Sequence, residues 1–385
     1  MSSKKNKHFD YYTKHKISPV TYNSSLLELL EQRRSLYRGI GILSSTIQAK
    51  NVLEIAAGSG QNSMFISINN PKRLVLIEPN RTALNDIFNN YGKLELAHTK
   101  PEIFDCRLED YKSEERFDIV ICENWLGSNV YERSLRKKCL AMVGAHGLFV
   151  STVISPIGIL PNILRRYLSL KLLENVYDFD DKVCVLVDAF GSHLDTLLSM
   201  NRSNRDWVID NMLHPAYLSI VTTLPELLLD SRIDFSIFKI WPSFNQDWRW
   251  FKDLFGKQKK FNEVALAEYA KWSHGFIDYR YVVEQADGKR NMILEKTCLE
   301  LIQTLLAHEN YVAKGIKSNP SLLEGVLMRI KGIVHQIYPK EIVDALNEAI
   351  DLCLVNEIST TRVSQMNKFK FLFGRETIYV SLERM

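Results

Sequence analysis

The chain has 385 residues, of which 46% are hydrophobic and 24% charged, a composition that excludes a disordered, collagen-like or coiled-coil protein. The 49 Lys and Arg residues nearly balance the 45 Asp and Glu residues, and a net charge of +4 does not require a nucleic-acid partner. At about 150 residues per domain, the length predicts about two domains with a core that needs no disulfides or metals. Six scattered cysteines without a C-x-x-C pair predict neither a zinc site nor a disulfide framework, so we expect a reduced, cytoplasmic protein.

The N-terminal stretch, residues 1–20, is polar and rich in lysine, and it lacks the apolar run of a secretory signal. We therefore expect a flexible basic tail, with an RNA-binding arm as the less favoured alternative. A first helix should follow, because Ser25 and Glu28 have the spacing of a capping box and a leucine-rich run comes directly after Ser25. Gly39 and Gly41 should end this helix.

Short apolar runs then alternate with amphipathic helical runs up to about residue 155. The predicted strands are 51–55, 73–77, 101–105, 117–122 and 147–153. Helices are predicted between the first three strands, at 61–69 and 80–91. This alternation predicts an α/β fold with a doubly wound, mostly parallel sheet that is covered by helices on both faces.

Residues 147–164 carry no charged side chain over a length at which a membrane-spanning helix must be considered. Pro156 and Pro161 would break such a helix. A buried strand, a turn and the start of a helix account for the same residues, so we expect no membrane span.

Beyond residue 155 the alternation fades, and helical periodicity returns near the C-terminus. The apolar positions that indicate three helices there are Leu294, Cys298, Leu301 and Leu305; Leu323, Val326, Leu327, Ile330 and Val334; and Ile342, Leu346, Ala349, Ile350 and Cys353. Between the sheet and these helices, aromatic side chains are interleaved with charged ones. The predicted organisation is a sheet domain over 21–155, an aromatic-rich substrate or cap region over 156–285 and a helical region over 286–385.

The strongest chemical motif is Val52-Leu-Glu-Ile-Ala-Ala-Gly58-Ser-Gly60-Gln-Asn, where the first strand should turn into the next helix. Small residues allow a tight turn and a close approach of the backbone to a ligand, and the N–H groups at the helix start attract anionic oxygens. A dinucleotide-binding strand has an apolar residue where Glu54 stands, and its third glycine is Ser63 here. A carboxylate before the loop repels a pyrophosphate and complements a cation.

At these residues the sequence resembles the class I S-adenosylmethionine-dependent methyltransferases, whose first motif has the form E/D-x-G-x-G-x-G. The resemblance implies a Rossmann-like sheet, S-adenosyl-L-methionine as the cofactor, and cofactor contacts from Glu54, Ala56, Gly58, Gly60, Gln61 and Asn62. Ala56 replaces the first glycine, a change between small residues that is tolerated unless the backbone there needs a positive φ.

The second acidic residue, Glu78, lies at the end of the second predicted strand and is followed by Pro79. A carboxylate there can accept hydrogen bonds from both hydroxyls of a ribose, so we predict Glu78 as the ribose ligand with Pro79 beside it. After the third strand, the resemblance implies a main-chain donor near Leu108 and an acidic acceptor at Glu109 against the adenine, with Asp110 as the alternative acceptor.

Glu123 follows the fourth strand, at the edge where the reactive end of a ligand lies in open α/β sheets, so we expect it to contact cofactor and substrate. It also stands nine positions before Glu132 (132 − 123), the spacing of the two guanidinium-binding glutamates in protein arginine methyltransferases. That activity is an alternative, although Asn124 is interposed before Trp125 and no β-rich region is predicted afterwards. The Asn-Pro-Pro-Tyr motif typical of many nucleic-acid amino-methylating enzymes does not follow this strand.

A proton acceptor is needed if the methyl acceptor is an oxygen, and Glu123 and His274 are the predicted candidates, with Asp278 beside the histidine. A lone histidine is more often structural. The aromatic and charged residues at 206–211 and 247–252 suit a pocket for a sugar or nucleotide-linked ligand, and equally a packed junction. No metal-ligand spacing is met by the three neighbouring aspartates Asp178, Asp180 and Asp181.

These observations together predict an S-adenosylmethionine-dependent methyltransferase with a mainly helical C-terminal region and no metal. The expected acceptor is a small molecule or a glycan or nucleotide-sugar precursor, because neither a basic stripe nor a base-stacking motif is evident. A catalytically inactive methyltransferase-like binding module and a nicotinamide-dependent oxidoreductase are the alternatives from other classes. The sequence gives no indication of the oligomeric state.

Overall fold

The computed structural model describes residues 7–15, 22, 24–231, 234–244, 260–280, 286–316 and 319–385. The strands are β1 Asn51–Ile55, β2 Arg73–Ile77, β3 Glu102–Phe104, β4 Phe117–Cys122, β5 Val143–Ile154, β6 Phe235–Trp241 and β7 Thr377–Arg384. The α-helices are α1 Lys7–His15, α2 Leu26–Gly39, α3 Ser44–Ile47, α4 Gln61–Ile68, α5 Arg81–Gly92, α6 Val130–Ala141, α7 Leu160–Leu172, α8 Phe179–Leu194, α9 Asn204–Val208, α10 Leu224–Ser231, α11 Phe261–Trp272, α12 Gly288–Ala313, α13 Ser321–Val334, α14 Lys340–Leu354 and α15 Thr360–Ser364. None of the described helices combines the length and the apolar character that crossing a membrane requires.

The described strands form one sheet in the order β3-β2-β1-β4-β5-β7-β6. The pairs β1·β2, β1·β4, β2·β3 and β4·β5 are parallel, whereas β6 and β7 are antiparallel. From β1 the chain first moves outward to β3 and then returns to the other side of β1 with β4. In open α/β sheets such a reversal creates a ligand-binding crevice beyond the carboxyl ends of the strands. The side chains that follow β1, β2 and β4 are therefore the candidates for a site.

The central strands are buried on both faces, which explains why they appear in the sequence as continuous apolar runs. One face packs against α2 and α4, where the rings of Tyr37 and Phe65 meet edge to face with their centroids 5.5 Å apart. This packing fixes the carboxyl ends of the strands relative to α2.

The predicted α/β fold with a doubly wound, mostly parallel sheet and a mainly helical C-terminal region is confirmed. Ser25 and Glu28 form the predicted capping box at the start of α2. Residues 147–164 contain the end of β5, a turn and the start of α7, as predicted in place of a membrane span. The three C-terminal helical patterns correspond to α12, α13 and α14.

Three elements lie where the sequence predicted something else. Residues 7–15 form α1 in the predicted flexible tail, because Tyr11 is buried and its ring contacts Tyr12 and His15. The strand β6 lies in the region predicted as a cap, and β7 lies in the region predicted as helical. In β7 every second residue (Ile378, Val380 and Leu382) is apolar and fully buried. This alternation is typical of a strand and was the indication in the sequence that the prediction missed.

The chain forms two compact units. The first comprises Met1–Val153, Ile220–Leu266 and Ile378–Met385 and contains the sheet; the second comprises Ile154–Ser219 and Ala267–Thr377 and is mainly helical. In the second unit, the buried guanidinium of Arg165 lies 4.5 Å and 3.8 Å from the ring centroids of Phe369 and Phe373. The domain boundaries at residues 155 and 285 stay a prediction.

Candidate functional site

The loop after β1 turns through left-handed backbone conformations. Ala56, Gly58 and Gly60 have φ values of 58°, 57° and 75°. Glycine adopts this region freely, but an L-residue such as alanine does so at a cost of roughly 1–2 kcal/mol. The replacement of the first glycine by Ala56 therefore keeps the loop conformation at the expense of local strain. Backbone hydrogen bonds from Ala56 and Ala57 to the carbonyl of Ile77, at 2.9 and 3.4 Å, hold the loop against the end of β2.

Glu54, near the end of β1, is a buried carboxyl group with an unsatisfied oxygen. The residue is 7% exposed, and its Oε2 is enclosed without a hydrogen-bond partner among the described residues. Burial raises the pKa of Glu54 to about 8. The negative charges of Glu123 and Glu78 contribute to this rise, whereas the positive charge of Arg33 opposes it. A buried acid in this state gains stability when a cation or a hydrogen-bond donor binds beside it.

Glu78, directly after β2, joins the second strand end to the loop. Its Oε2 accepts a hydrogen bond from the N–H of Gly58, and its Oε1 accepts one from the N–H of Asn80, both at 2.8 Å. Burial raises the pKa of Glu78 to about 7, although these two hydrogen bonds act in the opposite direction. Each carboxylate oxygen has a second lone pair, so Glu78 can still accept two hydroxyl donors.

Glu123, directly after β4, is held by two residues of α2 that the sequence analysis missed. Arg33 Nη1 donates to Glu123 Oε2 at 2.8 Å, and the Tyr37 hydroxyl donates to Oε1 at 3.1 Å. The side chains of Arg33 and Glu123 are 6% and 11% exposed. Burial alone would lower the pKa of Arg33, but the charge of Glu123 together with the nearby tyrosines Tyr37, Tyr379 and Tyr22 raises the pKa well above its ordinary value. Because both oxygens of Glu123 are engaged, its surroundings suit an orienting carboxylate better than a proton acceptor.

Three carboxyl groups and one guanidinium thus share the buried region at the ends of β1, β2 and β4. The charges of Glu123, Arg33 and Glu78 all act on Glu54. The indication available in the sequence was an arginine and a tyrosine four positions apart on α2, which places both on one face of a helix.

Tyr22, which precedes α2, lies against the start of α4. The N–H of Tyr22 donates to Gln61 Oε1 at 2.9 Å, and Gln61 Nε2 donates to the carbonyl of Tyr22 at 3.3 Å. Asn62 follows in the first turn of α4, and Pro79 connects Glu78 to the cap of α5; both are half-buried. These predicted cofactor contacts lie at the same ends of β1 and β2.

The loop after β3 carries the predicted adenine contacts. Leu108 is buried, and Glu109 Oε1 accepts a hydrogen bond from the Tyr131 hydroxyl at 2.6 Å. The other oxygen of Glu109 is enclosed without a partner among the described residues. The N–H of Asp110 donates to the carbonyl of Arg107 within the same turn, while Asp110 itself stays the alternative acceptor.

Glu132 does not form a pair of free carboxylates with Glu123. It lies in the first turn of α6, where its Oε2 accepts a hydrogen bond from the N–H of Gly127 at 3.1 Å. Burial raises the pKa of Glu132 to about 7. The guanidinium that Glu123 contacts is that of Arg33 in the same chain, so each of the two glutamates has its own partner within the chain.

The predicted proton acceptors of the second unit are engaged locally. His274 is 3% exposed, its Nδ1 lies 3.0 Å from Asn291 Nδ2, and its carbonyl accepts a hydrogen bond from the Tyr338 hydroxyl. Asp278 pairs with Arg280 at 2.7 Å. These environments are those of structural residues, and a catalytic role of His274 stays a prediction.

Asp178 caps α8 by accepting hydrogen bonds from the N–H groups of Asp180 and Asp181. Within the described part of the chain, no group of three His, Cys, Asp or Glu side chains is placed to hold a metal ion. The segment 247–252, which carries half of the aromatic and charged pattern, lies outside the described residues.

Comparison with known proteins gives no family model and no curated protein that matches the sequence. Matches among solved structures include the N-methyltransferase NodS from Bradyrhizobium japonicum with S-adenosylhomocysteine, at 18% identity over 32% of this chain and 60% of that protein, with a TM-score of 0.27. The match therefore spans less than two thirds of that protein. Magnesium protoporphyrin IX methyltransferase from Synechocystis is 9% identical over 40% of this chain and 79% of that one, with a TM-score of 0.32.

Coclaurine N-methyltransferase bound to N-methylheliamine and S-adenosylhomocysteine is 10% identical over 100% of this chain and 80% of that one, with a TM-score of 0.37. Similarities of this size support no inference about activity.

Proposed function

We propose that the chain is an S-adenosylmethionine-dependent methyltransferase that binds its cofactor at the ends of β1, β2, β3 and β4. The observation that carries this proposal is the buried carboxyl group of Glu54, whose Oε2 has no partner among the described residues and whose pKa is raised to about 8. Such a group is stabilised by a positively charged ligand. S-adenosylmethionine carries two positive charges, on its amino group and on its sulfur, together with one carboxylate.

The residues present fit each part of that ligand. Glu54 suits the positively charged methionine end, and Glu78 has lone pairs left for both ribose hydroxyls after binding Gly58 and Asn80. Glu109 has one enclosed oxygen that lacks a donor, which suits the amino group of adenine. Arg33 pairs with Glu123 through one of its five N–H donors, and a guanidinium beside Glu54 suits the carboxylate of the methionine moiety.

The charge balance also argues against a dinucleotide. The charges that act on Glu54 in this buried region come from two further carboxyl groups, Glu123 and Glu78, and from the guanidinium of Arg33. The raised pKa values of Glu54 and Glu78 reflect surroundings that disfavour negative charge, and a pyrophosphate would bring two further negative charges there. A nicotinamide-dependent oxidoreductase is therefore the less favoured alternative.

The bound cofactor would supply a methyl group that its sulfonium already activates. The contribution of the chain is to bind and orient the cofactor and the acceptor, because holding two reactants in a reactive geometry greatly lowers the barrier to such a transfer. Hydrogen bonds from Arg33 and Tyr37 hold the carboxylate of Glu123 in one orientation, so that it can orient the acceptor. The N–H of the next residue, Asn124, donates to Thr152 Oγ1 at 2.7 Å, and Asn124 has a φ of 55°. Asparagine tolerates this left-handed backbone better than most residues.

The proposed acceptor is a small molecule or a glycan or nucleotide-sugar precursor. Protein arginine methylation is less favoured, because Glu123 is engaged by Arg33 and Glu132 by a backbone N–H. An inactive module is also less favoured. Its support in the sequence was Ala56, which nevertheless adopts the left-handed conformation that a glycine would take there.

Calorimetric titration of the full chain with S-adenosylhomocysteine and with NAD tests the cofactor assignment. We expect binding of the first ligand, loss of at least tenfold in affinity in Glu78→Ala, and no change in Glu114→Gln, an exposed glutamate of the same unit. Saturable binding of NAD with no binding of S-adenosylhomocysteine would refute the proposal. Transfer of label from S-adenosylmethionine into a fractionated metabolite extract then identifies the acceptor, and label found only in polypeptide would overturn the small-molecule assignment.

A further inference from the structure

A lysine of α6 holds the loop after β3 through all of its donors. Lys138 Nζ lies 2.6 Å from the carbonyl of Leu108, 3.1 Å from that of Glu109 and 2.6 Å from that of Tyr111. An ammonium group has three N–H donors, so these three carbonyls use its full capacity. Because the C=O and N–H of one peptide unit point in opposite directions, the bond to the Leu108 carbonyl also fixes the N–H of Glu109.

A tyrosine of the same helix holds the side chain of Glu109. The Tyr131 hydroxyl donates to Glu109 Oε1 at 2.6 Å, a short hydrogen bond to a charged acceptor. Burial and this hydrogen bond raise the pKa of Tyr131 to about 12, so the phenol keeps its proton at neutral pH. Glu109 Oε2 is left as the oxygen without a donor among the described residues. Tyr131 thereby decides which oxygen of Glu109 is available, and Lys138 decides where the backbone of the loop lies.

We propose that Tyr131 and Lys138 are positioning residues that make the site select a 6-amino purine nucleoside over its 6-oxo counterpart. This inference rests on the proposed function, and it adds two residues of α6 to the residues assigned there. The exocyclic amino group of adenine donates a hydrogen bond, which the available oxygen of Glu109 can accept. A 6-oxo purine presents a carbonyl oxygen at the same place, so two acceptors face each other.

The test compares the affinities of S-adenosylhomocysteine and S-inosylhomocysteine, which differ in the substituent at position 6 of the purine and in the hydrogen that the 6-oxo form carries on N1. Calorimetry is carried out on the wild type and on the Tyr131→Phe, Lys138→Met and Lys137→Met variants. Lys137 is the matched control, because it is the adjacent residue of α6 and is exposed. Circular dichroism confirms that each variant is folded.

The wild type should prefer the adenosyl compound by about tenfold or more, as a hydrogen bond to a charged group predicts. Tyr131→Phe and Lys138→Met should reduce this preference to about threefold or less, mainly by weakening the adenosyl compound. Lys137→Met should keep the wild-type preference. A variant that merely loosens the fold would weaken both ligands equally, so the ratio separates positioning from stability.

Two results would overturn the inference, and they are distinguishable. If the wild type prefers the adenosyl compound and Tyr131→Phe keeps that preference, the positioning role is refuted while the proposed function stands. Phenylalanine retains the ring, so this variant remains informative even if Lys138→Met does not fold. If the wild type binds neither compound, the proposed function fails and this inference fails with it.

Discussion

Replacing Glu54 by glutamine should make the free protein more stable. The folded chain raises the pKa of Glu54 from 4.5 to about 8, so at neutral pH it takes up a proton that the unfolded chain releases. Each unit of pKa difference corresponds to about 1.4 kcal/mol, and at pH 7 the buried carboxyl group destabilises the fold by roughly 3 kcal/mol. At pH 5 the same cost is roughly 1 kcal/mol. Glutamine has nearly the shape of the protonated acid and does not carry this cost.

The sign of the pH dependence follows from the raised pKa. Below pH 4.5 Glu54 is protonated in both the folded and the unfolded chain and does not lower the free energy of unfolding. This stability is lost as the pH rises through about 8, where the unfolded chain has the ionised group. The stability difference between Glu54→Gln and the wild type should therefore grow from pH 5 to pH 8.5.

Urea denaturation is monitored by hydrogen exchange of peptides from β1, β2 and β4. These strands belong to the first unit, so its stability is measured separately from that of the second unit. Glu114→Gln, at an exposed position, is the control and should show no such trend. The reasoning is refuted if Glu54→Gln is less stable than the wild type at pH 8, or if the difference does not change with pH. The same variant should bind S-adenosylmethionine more weakly, because the charge that stabilises the cation is gone.

Three further changes test other parts of the site. Ala56→Gly should raise stability by about 0.5–1 kcal/mol, because relief of the left-handed strain exceeds the added entropy of the unfolded chain; urea denaturation showing a loss would contradict this. Asp230→Asn should cost about 3 kcal/mol or more at pH 7, because the side chain is 1% exposed and pairs with two arginines of α6. Burial alone would raise the pKa of Asp230, but those arginines lower it, so the wild type should keep this contribution above pH 3.8 and lose it as the pH falls through the lowered value. Arg33→Met should destabilise the fold by about 3 kcal/mol, because it leaves the carboxylate of Glu123 buried and unpaired. Adding Glu123→Leu should restore most of the stability without restoring cofactor binding. A double variant that is no more stable than Arg33→Met would contradict this reasoning.

The central strands in the first half of the chain could be predicted from the sequence because they are buried on both faces. In β2 an apolar run is directly followed by Glu78, and in β1 Glu54 stands next to the last residue of the run, so both the limits and the direction of these strands could be predicted. The edge strand β6 is different. It is half-exposed, contains Lys239 and shifts its register against β7 between Ile237 and Lys239, which disrupts the alternation that marks a strand.

The site was predictable only where it depends on the strand ends. Glu54, Glu78 and Glu123 could be proposed because each lies near or directly after the carboxyl end of a predicted strand. Arg33 could not, because an arginine on a helix is usually exposed to solvent, and its burial becomes evident only when folding places it against Glu123, 90 positions away. The same applies to Lys138, whose carbonyl partners lie 27 to 30 positions earlier. Contacts between elements distant in sequence leave no local pattern.

Proton counting by calorimetry tests the central claim most directly. The heat of S-adenosylmethionine binding is measured at pH 7 in buffers with different ionisation enthalpies, for the wild type and for Glu54→Gln. Because the pKa values of Glu54 and Glu78 are about 8 and about 7 in the free protein, we predict that cofactor binding releases about one proton or more, and that the variant releases about one fewer. Binding without proton release, or equal release by both proteins, would contradict the claim that buried carboxyl groups ionise to hold a positively charged nucleoside.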